Sequence, residues 1–89
     1  MHPLVEHFGL AVRQLRVKRG LSQEQLAERS ELNRSYVGEI ERGRVIASIV
    51  TAQKLAGALE LNVAGLLMCC EQLDQRRTEQ RINLAAIAR

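Results

Sequence analysis

The stretch between Gly20 and Gly43 constrains this chain most. It holds two short segments, each with its own start signal and its own apolar stripe. Ser22-Gln23-Glu24-Gln25 reads as a capping box, a hydroxyl at the N-cap and an amide three residues on. Leu26 and Ala27 follow on the inward side, and the helix runs out near Arg29 or Ser30. Asn33 then caps a second helix, whose buried stripe is Tyr36, Val37 and Ile40 and whose stop is Arg42-Gly43. Helices this short are marginal in water by themselves. Joined by only a few residues, they have to pack against each other and against neighbours, in the manner of a helix-turn-helix.

The flanks supply those neighbours. Leu4, Phe8, Ala11, Val12 and Leu15 recur at helical spacing and predict a first helix from Leu4 to about Lys18, closed by Arg19-Gly20. Leu10 and Val17 lie opposite that stripe, as scattered surface residues or a small partner-binding ridge. Ser48 can cap a fourth helix with Ile49, Ala52, Leu55, Ala56 and Leu59 inward. Asn62 can cap a fifth, opening Val63-Ala64-Gly65-Leu66-Leu67. No alternating run or hairpin turn suggests a strand. The expected fold class is therefore all-α.

Composition narrows the function classes. With 89 residues there is room for one small domain. Aromatic residues are 2% of the chain, too few for stacking platforms on single-stranded nucleic acid. The net charge of +3 permits a polyanionic partner without requiring one. No apolar run approaches a membrane span, and the start lacks a signal-peptide pattern, so a cytoplasmic protein with no membrane partner is expected. His2, His7, Cys69 and Cys70 form no metal-ligand spacing; no metal or cofactor is expected. No nucleophile–base pairing stands out, and an enzyme is not expected.

Residues 9–67 resemble the Cro/repressor-type, or Xre-like, helix-turn-helix family. The resemblance is carried by Gly20-Leu21-Ser22-Gln23-Glu24-Gln25-Leu26-Ala27, Leu32-Asn33-Arg34-Ser35-Tyr36-Val37 and Ile40-Glu41-Arg42-Gly43. Val12, Leu15 and Arg16 fit the family's first helix, Leu55-Ala56-Gly57-Ala58-Leu59 its fourth, and Leu66-Leu67 its fifth. The resemblance implies a five-helix repressor-like domain over residues 1–67, with 68–89 as a helical extension. It also implies a homodimeric regulator of transcription reading a short inverted repeat in double-stranded DNA. Restriction–modification controllers and small phage or plasmid repressors are the most similar subclasses. The competing reading is a protein-interaction module, an antitoxin or anti-activator, with secondary or no DNA binding.

In that family the second helix of the pair lies in the major groove. By resemblance, Asn33, Arg34, Ser35 and Glu39 are expected toward the bases. Arg34 suits guanine O6 and N7, and Glu39 can accept from cytosine N4. Gln23, at a helix N-terminus, is expected on phosphate and as a buttress of the reading helix. Tyr36, Arg42 and Arg44 are expected near phosphates, with Tyr36 also packing. Arg16 and Glu41 match a structural ion pair between the first and third helices. Two departures stand out. Glu31 occupies a turn position that usually holds Gly, and Ala47-Ser48 replaces the usual Pro-Ser.

The extension is least determined. Val63, Leu66, Cys70, Leu73, Leu84 and Ile87 fall at a and d of a heptad register, around a polar middle at Arg77 and Gln80. They are expected at a dimer interface, on a single long helix that pairs with a second subunit; the alternatives are a break near Thr78 with a sixth helix folded back, and a helix packed on its own domain. Cys69-Cys70 reads either as small buried hydrophobes or as a redox sensor, and an oxidative link would be intermolecular.

Overall fold

A computed structural model describes residues 2–87, leaving out the side chains of Arg77 and of residues 83–87. Five helices follow in chain order: α1 (Pro3–Lys18), α2 (Gln23–Ser30), α3 (Arg34–Glu41), α4 (Ile49–Ala58) and α5 (Val63–Ile87). Each start is set by a side chain that satisfies an orphan N–H of the first turn. Ser22 Oγ accepts from Gln25 N while the Gln25 side chain accepts from Ser22 N, closing the capping box. Asn33 accepts from Ser35 N, Ser48 from Thr51 N and Asn62 from Gly65 N.

The stops share one device. Gly20, Glu31, Gly43 and Glu60 all take left-handed backbone, with φ of 70°, 57°, 70° and 61°. After each, the next N–H reaches back five residues to a helix carbonyl, as Leu32 N does to Ala27 O at 2.8 Å. Two of the four are glycine, which adopts this conformation without strain. Glu31 and Glu60 pay a Cβ penalty there.

One core joins the helices. Val12, Leu26, Ala27, Val37, Ile40, Leu55, Ala56, Leu59 and Leu66 form a single buried cluster. Removing a leucine or isoleucine of this size from water stabilises by about 1.5–3 kcal/mol. Backbone contact at Gly9 sets how α1 meets α3. A Cβ there would lie 2.2 Å from the Ile40 carbonyl oxygen, so only glycine lets the two helices come this close.

The expectations for three residues need correction. Leu66 and Cys70 lie in the protomer's own core rather than on a dimer surface, both fully buried. Heptad position marks an apolar face but not its partner, and here that partner is the chain's own core. Ile49 was expected inward but is 83% exposed, because it opens α4 one turn ahead of the core. Between the two forms considered for the extension, α5 runs unbroken past Thr78, whose hydroxyl donates to Asp74 O at 3.1 Å within the helix. The core thus extends beyond residue 67. Val63 and Leu73 are half-buried, and the side chains of Leu84 and Ile87 lie outside the described residues.

Candidate nucleic-acid interface

The outer face of α3 is built on a buried polar junction. Arg16 of α1 donates from Nε to Glu41 Oε2 at 2.7 Å and from Nη2 to Oε1 at 3.0 Å. Its Nη1 donates to Leu21 O at 2.8 Å. Gln23, first residue of α2, donates from Nε2 to the same Glu41 Oε1 at 3.1 Å. One carboxylate on α3 therefore accepts from both preceding helices. The Glu41 side chain is 3% exposed and that of Arg16 13%, so the pair sits largely out of solvent. A charge buried this way has to be both paired and hydrogen-bonded, and this one is.

On the opposite side of α3, Arg34, Ser35, Glu39 and Arg42 face outward, while Val37, Ile40 and Glu41 face in. Gln23, Arg34, Ser35, Gly38, Glu39 and Arg42 line one shallow concavity. A second one beside it is lined by Arg13, Arg16, Gln23, Glu41 and Arg42. The two share Gln23 and Arg42, making a continuous polar strip across α1, α2 and α3. Arg13 was not singled out in the sequence. It stands one turn before Arg16 on the same helix, and that spacing was the available signal.

Each remaining candidate has a definite place. Asn33 is exposed, and its Oδ1 is committed to the helix cap. Tyr36 is half-buried, and its hydroxyl donates to Thr51 Oγ1 at 3.4 Å, tying α3 to α4. Arg44 is exposed just beyond α3. Glu39 does not stand free: its Oε1 accepts from Arg42 Nη2 at 2.7 Å.

A separate surface is apolar. Leu4 and Phe8 of α1, Ile46 and Ile49 around the start of α4, and Val63 and Leu67 of α5 line a groove away from the polar strip. Ile46 is 74% exposed. No helix among the described residues is long and apolar enough to cross a membrane.

The family model described as helix-turn-helix matches residues 12–66. The chain is 41% identical over 59 residues to the immunity repressor protein of Bacillus phage phi105, a match covering 66% of this chain and 41% of that repressor. Among solved structures, the restriction-modification controller protein C.AhdI from Aeromonas hydrophila superposes with a TM-score of 0.67 at 51% identity, covering 71% of this chain and 94% of that one. The clp gene regulator ClgR from Corynebacterium glutamicum gives 0.84 at 31% identity, covering 94% and 88%. The controller C.Esp1396I, solved as a tetramer with its natural 35 base-pair operator, gives 0.73 at 25% identity, covering 78% and 91%. Matched over more than half its length by that model, the chain belongs to the helix-turn-helix family of Cro/repressor type.

Proposed function

We propose that this chain is a transcriptional regulator that binds double-stranded DNA sequence-specifically, as a homodimer on a short inverted repeat. The observation that carries the reading is the outer face of α3. Arg34 and Ser35 project from its first turn, both exposed and both lining the polar concavity. Docked in the major groove, that turn meets base edges, where Arg34 suits guanine and Ser35 suits either base. Gln23, Arg13 and Arg44 flank it as phosphate contacts. The α2 N-terminus beside Gln23 adds backbone N–H groups that favour an anion. Asn33 serves chiefly as the cap, and Tyr36 chiefly as packing.

One protomer presents one reading helix, so recognition of a full site needs two. The apolar groove around Ile46, Ile49 and Leu67 supports a second copy of the chain as its occupant, because a two-fold contact needs a self-complementary patch. Ile82, exposed on α5, offers that copy a further contact. Work of this kind is cytoplasmic and needs no cofactor, and the relatives are regulators rather than enzymes.

Footprinting of the full-length protein on the DNA upstream of its own gene tests this. Protection of a short inverted repeat, at a sedimentation mass of a dimer, supports the reading. Uniform weak binding to any duplex sinks it. Ile49→Glu, at an exposed position that costs the fold little, should shift the sedimentation mass to the monomer and weaken operator binding at least tenfold.

A further inference from the structure

We infer that Arg42 reads a base edge and that Glu39 is its positioning residue, rather than Glu39 reading a base and Arg42 serving phosphate. The inference rests on the regulator reading above and deepens it.

Arg42 follows the last residue of α3, and a phosphate contact is the ordinary expectation there. Its side chain takes another course. Helix side chains lean toward the N-terminus, so Arg42 runs back over residue 38, one turn earlier. That residue is Gly38. A Cβ built on it would lie 3.3 Å from Arg42 Nη1, 3.4 Å from Nη2 and 3.6 Å from Cζ. All three guanidinium atoms are near one point on the helix surface, so the guanidinium lies over Gly38 in close contact. It therefore stands at the middle of α3, beside Ser35 and Glu39, in the concavity that Arg34 also lines.

Glu39 holds it there. Glu39 Oε1 accepts from Arg42 Nη2 at 2.7 Å, a short charge-assisted bond. One carboxylate contact uses part of a guanidinium's five-donor fork and leaves the rest free. The bond has two effects on recognition. It freezes a side chain that otherwise loses rotamer entropy on binding. It also neutralises a carboxylate that would face the phosphate-lined groove. A free Glu39 accepting from cytosine would have to break the pair and enter the groove as an anion. An Arg42 held by Glu39 keeps the pair and offers guanine O6 and N7 the geometry they accept.

The test is selection from a randomised duplex library with full-length wild type, Arg42→Lys, Glu39→Gln and the double variant. Lysine keeps the charge a phosphate needs and loses the planar fork. Glu39→Gln removes the positioning charge with almost no change of shape. Both positions are exposed or half-exposed, and a thermal melt checks that each variant folds.

Arg42→Lys is expected to keep general duplex affinity within about threefold and to lose about tenfold preference for guanine at one base pair per half-site. Glu39→Gln should weaken preference at that same base pair. The double variant should lose no more than Arg42→Lys alone, since Glu39 acts through Arg42. Wild-type preferences in Arg42→Lys would overturn the inference, as would a Glu39→Gln effect at a different base pair. If the wild type itself enriched no sequence, the regulator reading would fall and this inference with it. That outcome is distinct from a selective wild type indifferent to Arg42.

Discussion

Arg16 and Glu41, 25 residues apart, meet through two hydrogen bonds at 2.7 and 3.0 Å, and the second oxygen also accepts from Gln23. This junction orients α3 against both α1 and α2, so the outer face proposed to read DNA is set by chemistry on the inner one. Arg16→Met leaves the Glu41 carboxylate largely buried, with Gln23 as its one remaining side-chain donor among the described residues. We expect a loss of about 3–5 kcal/mol in urea unfolding. A loss below about 1 kcal/mol would mean the pair behaves like an exposed surface bridge.

At Gly9 the expectation is steric. Gly9→Ala places a methyl against two backbone carbonyl oxygens, at 2.2 and 2.9 Å, and backbone cannot rotate away as a side chain can. Overpacking of this kind costs typically 1–3 kcal/mol and occasionally more. The variant should melt well below wild type despite alanine's higher helix propensity. An unchanged melting temperature would show that α1 and α3 are not in the close contact described.

The two non-glycine stops make unequal predictions. Glu31→Gly relieves left-handed strain at an exposed side chain and should stabilise by about 1 kcal/mol. In a domain this small that is roughly 4–8 °C in Tm. Glu60 has the same backbone but also accepts from Arg19, closing the end of α1 onto the α4–α5 turn. Glu60→Gly should therefore gain less than Glu31→Gly. Equal gains would show that the surface pair contributes nothing measurable.

The cysteines differ in environment. Cys70 is fully buried and its Sγ donates to Leu66 O at 3.3 Å. Burial, then the neighbouring Cys69 and Glu71, push its thiol from 9.0 up to about 11. The folded state thus favours the neutral thiol. That contribution is complete below pH 9.0 and is lost as pH rises toward about 11. Cys70→Ala should be less stable than wild type at neutral pH because of the cavity it leaves. The gap should narrow across the alkaline window, as read by urea midpoints at each pH. A thiol reagent should modify Cys69 in the native protein and Cys70 only on unfolding. Equal rates at both sulfurs would contradict the burial.

Local chemistry made much of the architecture readable. A cap or a capping box involves residues two or three apart, so Ser22, Asn33, Ser48 and Asn62 could be placed from sequence, and the inner stripe of α3 followed. What depended on partners distant in sequence could not. Gly9 looks like an ordinary glycine until α3 arrives beside it. Leu66 and Cys70 have the spacing of a seam, and only packing shows that their own domain covers them. His7 gave no warning of being buried, with its Nδ1 3.8 Å from Asp74. On the reading face, residue type and position placed Arg34 and Ser35 outward. The Glu39–Arg42 bond depends on rotamers, which no spacing rule supplies.

The eight-residue α3 has one further consequence. A helix that short does not persist outside the folded domain. A chain that is unfolded at any instant is therefore also a chain without a reading helix. On the proposed two-subunit reading both copies must be folded together, so the active population would scale as the square of the folded fraction. Near the melting temperature, gene control would fade more steeply than the protein's own unfolding curve, with the intrinsic fit to DNA unchanged.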